Sequence, residues 1–167
     1  SGKRMRILHL SYDHLQNPWA GGGQAVHVHE VCRRLAARHD VVVLSSGWPG
    51  GPREELMDGV RYLYAHPAPS RYLSRLAYCA VATAHATAGG FDLLVERISP
   101  FCPTLAGRVS RRPAIADVGL DPMQAVRKAP VMHGALKLLA ERKLRAFDHF
   151  IAVAPSLAEN LRPYGDV

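Results

Sequence analysis

Short, continuously apolar runs recur along this chain between longer stretches of helical periodicity, and that alternation restricts the fold more than any other feature. The runs are Arg6-Ile7-Leu8-His9-Leu10-Ser11, Asp40-Val41-Val42-Val43-Leu44-Ser45, Asp92-Leu93-Leu94-Val95-Glu96-Arg97, Pro113-Ala114-Ile115-Ala116-Asp117-Val118 and Phe150-Ile151-Ala152-Val153. Strands that are apolar on both faces belong in a parallel sheet covered on both sides. Val60 to Tyr64, after an Asp58-Gly59 turn, reads as a further strand. Between the strands, Val28, Val31, Cys32 and Leu35 form one helical stripe. Leu73, Leu76, Ala77, Ala80, Val81 and Ala84 form a second within Tyr72 to Ala88, which Gly89-Gly90 stops. Ser99-Pro100 reads as the start of a short helix over Phe101 to Val109. Leu136, Leu139, Ala140, Leu144 and Phe147 mark another helix, with Lys137, Arg142, Lys143 and Arg145 largely on its other face, and Ser156-Leu157-Ala158-Glu159 has the form of a capping box. The expected fold is α/β and Rossmann-like, a mostly parallel sheet with helices on both faces.

A chain of 167 residues, 48% hydrophobic, suits one domain with a sizeable core. No apolar run approaches the ~20 residues that span a bilayer, and the basic N-terminus lacks the apolar stretch of a signal peptide, so a cytoplasmic protein is expected. Ser1-Gly2 reads as a remnant of recombinant expression, with Met5 as the natural start. Cys32, Cys79 and Cys102 are scattered through apolar contexts, which suits buried small hydrophobes better than a zinc site or a disulfide framework. The net charge of +7 asks for an acidic partner: nucleic acid, an anionic membrane surface or a nucleotide diphosphate.

In a doubly wound sheet, ligands bind outside the carboxyl ends of the strands. The glycine-rich turn Gly21-Gly22-Gly23 lies beyond the first strand, Glu96 and Arg97 end the Asp92 strand, and Asp117 is near the end of the Pro113 strand. If the first strand and the Asp92 strand are neighbours, these residues surround one crevice. The glycines lead into the helix carrying Gln24 and His27, whose N-terminus can meet an anion. They are not a dinucleotide fingerprint, because about a dozen residues separate Ser11 from Gly23 and the second strand ends in Leu44-Ser45-Ser46 without a ribose-binding acid. A P-loop is equally absent, since no G-K-[ST] follows.

The order of these segments resembles the N-terminal domain of retaining GT-B glycosyltransferases, family 4-like. The resemblance rests on Gly22-Gly23 through His27, Glu30 and Leu35 to His39-Asp40-Val41-Val42-Val43, on Phe91 to Arg97, and on Ala140-Glu141-Arg142 through Phe147-Asp148 to Ala154-Pro155-Ser156 and Leu161. It implies one half of a GT-B fold, residues 1–167 forming the acceptor-side domain, with the C-terminal nucleotide-sugar domain absent from this chain and the isolated half inactive or nearly so. The implied reaction moves a sugar from a nucleotide-sugar donor to a small-molecule or lipid acceptor, with retention and without a metal or other cofactor.

On this resemblance Gly21, Gly22 and Gly23 approach the donor diphosphate, where preorganised donors stabilise the leaving charge; a turn that merely allows close packing is the competing explanation. Asp117 is the catalytic candidate, at a position where many relatives have a histidine, and a strand-end cap is the alternative. Gln24, His27 and Glu96 are the cleft candidates; adjacent strand residues point to opposite faces, so only one of Glu96 and Arg97 can face the cleft. His27 and His29, about 200° apart around a helix, cannot share an ion from one face. The basic helix over His133 to Arg145 has a solvated face as its ordinary explanation and peripheral contact with the inner face of a membrane as the sharper one. Two other classes stay in view: a non-catalytic α/β module binding a phosphorylated ligand, and a nucleic-acid-binding domain. The second lacks an RRM or helix-turn-helix pattern, so no nucleic acid is expected.

Overall fold

The computed structural model describes residues 2–99, 102, 104–120 and 133–167. In chain order its elements are β1 (Arg6–Leu10), α1 (Gly23–Ala36), β2 (Asp40–Ser45), β3 (Glu54–Met57), β4 (Val60–Tyr64), α2 (Arg71–Ala88), β5 (Leu93–Arg97), α3 (Ala106–Val109), β6 (Ala114–Val118), α4 (His133–Leu144), β7 (His149–Ala152) and α5 (Pro155–Leu161). The strands form one sheet in the order β3-β4-β2-β1-β5-β6-β7. Every pairing is parallel except that of β3 with β4. The expected Rossmann-like architecture is therefore present, and β1 and β5 are neighbours.

β3 is an addition to the expected strands. Glu54-Glu55-Leu56-Met57 is half-exposed and charged, so it lacks the apolar run that marks a buried strand. Asp58 and Gly59, at φ 50° and 79°, close the hairpin with two positive-φ residues, the turn whose twist matches the strands.

Alternate strand residues feed two cores. On one face Ile7, Val41, Val43, Val60, Tyr62 and Val95 pack with Val28 and Cys32 of α1. On the other, Leu8, Leu10, Leu44, Leu94, Ala114, Ala116 and Val118 meet α2, Leu144 of α4, and Leu157 and Leu161 of α5.

The helices correct several details. α1 buries Ala25, Val28, His29 and Cys32, leaving Val31 and Leu35 only partly covered. His29 is held inside by the Tyr62 hydroxyl at 2.9 Å and Asp58 at 3.0 Å. α2 buries Ser74, Tyr78, Cys79, Ala82 and Ala86, so Leu73 and Leu76 of the expected stripe face outward. Ser70 caps it by accepting from the Leu73 N–H, and Gly89 and Gly90, at φ 73° and 89°, end it as expected. α3 is confined to Ala106–Val109; Pro100, Phe101 and Pro103 of the expected longer helix lie outside the described residues. In α4, Leu139 is 60% exposed while Leu144 is buried, with Phe147 buried just beyond the helix. α5 has no capping box: Ala154 is its N-cap, no side chain bonds the cap, and Pro155 supplies the fixed φ of the first turn.

Candidate functional site at the carboxyl edge of the sheet

Strand β1 connects through α1 to β2 on one side and pairs with β5 on the other, so the switch in strand order falls between β1 and β5. Register decides which side chains meet there. His9 lies opposite Val95, and Arg97 opposite Asp117, which places His9, Arg97 and Asp117 on the face covered by α1.

The three groups converge. The Arg97 guanidinium donates to Asp117 Oδ1 at 2.7 Å, and both side chains are almost wholly buried. Asp117 Oδ2 lies 3.4 Å from His27 Nε2, long for a hydrogen bond and within ion-pair distance when the imidazole is protonated. A Cβ at Gly119 would overlap the Arg97 guanidinium, so only glycine leaves room for it. His9 is fully buried, neither ring nitrogen has a hydrogen-bond partner among the described residues, and burial pulls its pKa down to about 4, partly opposed by Asp117. Asp13, just past β1, has its carboxyl pKa raised by burial, with Arg97, Arg75 and Arg71 pulling the other way. His27 is the solvent-facing member, its side chain 35% exposed.

Gly21, Gly22 and Gly23 are exposed at the start of α1. Gly22 is the N-cap at φ 108°, which a side chain rarely adopts, and no side chain caps this terminus. A Cβ on Gly21 would sit 3.3 Å from the Asn17 carbonyl, whereas one on Gly23 would meet nothing within 4 Å. Turn geometry therefore accounts for Gly22 and close approach for Gly21, but protein packing does not account for Gly23. Gln24 follows, half-buried, in the first turn.

The loop before the glycines is anchored by residues that sequence reading did not single out. Asn17 Nδ2 donates to the carbonyl and hydroxyl oxygens of Ser46 at 3.2 and 2.8 Å, and Ser46 Oγ donates to the Tyr12 carbonyl at 2.6 Å. The backbone N–H of His14 donates to the Ala20 carbonyl, while the His14 ring stacks on Trp48 and contacts the Tyr64 hydroxyl. Their only sequence signal was a polar Ser45-Ser46 ending an apolar strand.

Glu96 is not brought to this cluster. It lies on the opposite face, where Thr104 Oγ1 donates to its Oε1 and Lys143 Nζ approaches at 2.7 Å, tying α4 to β5. Of the adjacent pair, Arg97 faces His27 and Asp117. Among the described residues, no group of three or more His, Cys, Asp or Glu could hold a metal ion.

The profile of Glycosyltransferase Family 4 matches residues 21–167, from the first glycine of the turn to the last residue. The chain belongs to Glycosyltransferase Family 4. This family-4 chain is also similar in fold to sucrose-phosphate synthase from Thermosynechococcus elongatus, at 16% identity and a TM-score of 0.65, over 98% of this chain and 46% of that one. A second structure of that enzyme aligns at 12% identity and a TM-score of 0.62, over 96% of this chain and 83% of the other. An α,α-trehalose 6-phosphate synthase from Burkholderia multivorans aligns at 15% identity and a TM-score of 0.50, over 98% and 43%. The family-4 chain thus spans about half the length of two of these structures. No curated protein matches its sequence. The sheet and helices are those of a GT-B glycosyltransferase domain.

Proposed function

We propose that this family-4 domain forms the acceptor side of a retaining transferase that moves a sugar from a nucleotide-sugar donor to an acceptor hydroxyl. One observation carries the reading: the uncapped N-terminus of α1 and the His27–Asp117 contact stand at the same carboxyl edge, at the switch point of the sheet. The N–H groups around Gly22 and Gly23 suit the charge that develops on a leaving diphosphate. Asp117, enclosed by Arg97, serves as the buried partner that orients His27, and the partly exposed imidazole meets the acceptor. A second α/β domain supplies most of the contacts to the donor, and no metal takes part. A small-molecule acceptor and a lipid acceptor both fit this arrangement.

The test is a donor and acceptor screen on the natural polypeptide that carries this domain, alongside Gly22→Val, His27→Ala and Asp117→Asn. Transfer should fall on the order of a hundredfold in Gly22→Val and in His27→Ala, as for loss of a preorganised group. Unchanged turnover in Gly22→Val would remove the loop from the mechanism. Nucleotide-sugar binding without transfer to any acceptor would favour a phospholigand-binding module instead.

A further inference from the structure

Helix α2 leaves part of its own face of the sheet uncovered. On that face the strand register sets Arg6 beside Asp40, then Leu8, Val42 and Arg61 in the next row, with Leu63 beyond. Interior strands normally bury such apolar residues, yet Val42 and Leu63 are only partly covered. They form part of a cavity of about 500 Å³, whose other walls include His39, His85 and the Gly89-Gly90 turn at the end of α2. Small-molecule sites have volumes of roughly 300–1,000 Å³. The cavity lies at the amino ends of β1, β2 and β4, the opposite edge of the sheet from His27 and Gly22.

Three kinds of group line it. Arg4, Arg6 and Arg61 supply positive charge. Arg61 donates through Nε to Glu54 at 2.6 Å and Arg4 pairs through one Nη with Asp40 at 2.7 Å, so each guanidinium keeps N–H donors for a further acceptor. The acids around them, Asp40, Glu54 and Asp92, are outnumbered once Lys3 and Arg112 beside Asp92 are included. His39 accepts the Met5 N–H at Nδ1, which leaves its proton on Nε2 as another donor. Acceptors for hydroxyl groups are present as well. Arg4 engages one carboxylate oxygen of Asp40 and leaves the other, and the last turn of a helix presents carbonyl oxygens without intrahelical partners. Between these groups the floor is apolar, formed by Leu8, Val42, Leu63 and Phe91.

We propose that this cavity binds a nucleoside monophosphate, with its phosphate on Arg61 and Arg6, its ribose hydroxyls toward Asp40, and its base on Val42 and Leu63. An anionic group, hydroxyl donors and a flat apolar ring in one small molecule match the three parts of the lining. A free phosphate meets only the cations, and a nucleoside only the floor and the acceptors. The site is separate from the cleft proposed for sugar transfer, because the whole length of the strands lies between them.

An amide NMR titration of the 167-residue chain with adenosine monophosphate tests this. No transfer is measured, so the outcome is independent of the proposed reaction. Saturable shifts should appear at Arg6, Val42, Arg61 and Gly90. Adenosine and inorganic phosphate should each bind at least about tenfold more weakly than the nucleotide. Arg61→Gln and Arg6→Gln should each weaken nucleotide binding by roughly tenfold. Both arginines are exposed, and an exposed ion pair adds little stability, so circular dichroism melting of the variants should match the parent. Four outcomes overturn the proposal: no saturable shift, shifts confined to the carboxyl edge around Gly22 and His27, inorganic phosphate binding as tightly as the nucleotide, or unchanged affinity in both variants.

Discussion

Asp117 illustrates how neighbours set what a side chain can do. With one oxygen on the buried Arg97 and the other toward His27, it is an anchor whose removal leaves a cation stranded in the sheet. Asp117→Ala should therefore destabilise the fold by about 3–5 kcal/mol in urea unfolding. His9 provides a pH-dependent prediction. Above its ordinary value of 6.5, the ring is neutral in both native and unfolded chains. Between 6.5 and about 4, the unfolded chain takes up a proton that the buried ring does not, so stability falls as pH falls through that window and the loss levels off below it. The full effect is about 3 kcal/mol. His9→Leu should flatten this limb of the pH–stability curve, measured as melting temperature against pH. The position of Asp117 at a strand end was legible in the sequence; its cluster was not. The cluster depends on the register of β5 against β6 and on the rotation of α1, neither of which a local pattern encodes.

At the level of elements, strands were legible wherever burial on both faces made them apolar, and β3 escaped because an edge strand needs no such run. Helix faces were harder. α2 is apolar at so many positions that periodicity selects more than one stripe, and the stripe that packs contains the small residues Ser74, Ala82 and Ala86, which let the helix approach the sheet. The α2 ends obey local chemistry closely enough to predict that Ser70→Ala costs about 1 kcal/mol through loss of the bond to the Leu73 N–H. Helix α4 is fixed by charge as well as by packing. Glu96 is 2% exposed and Lys143 Nζ is 2.7 Å away, so Lys143→Met should strand that carboxylate. A loss of roughly 3 kcal/mol is expected, with faster amide exchange along α4 than along α2.

For the whole molecule, the sheet order has a consequence in time as well as in space. β1 sits in the middle of the sheet, and its bond from the Arg6 N–H to Asp92 spans 86 residues of sequence. As the chain leaves the ribosome, β1, β2, β3 and β4 can assemble from contacts close in sequence. The flank of β1 that later receives β5 then stays open, an unpaired and apolar strand edge of the kind that recruits other chains. A chain cut after Gly90 should be insoluble under conditions where the 167-residue chain recovers soluble material, as measured by centrifugation after expression. Synthesis of this protein thus includes an interval of exposure that ends only when Leu93 to Arg97 emerge and β1 gains its second partner.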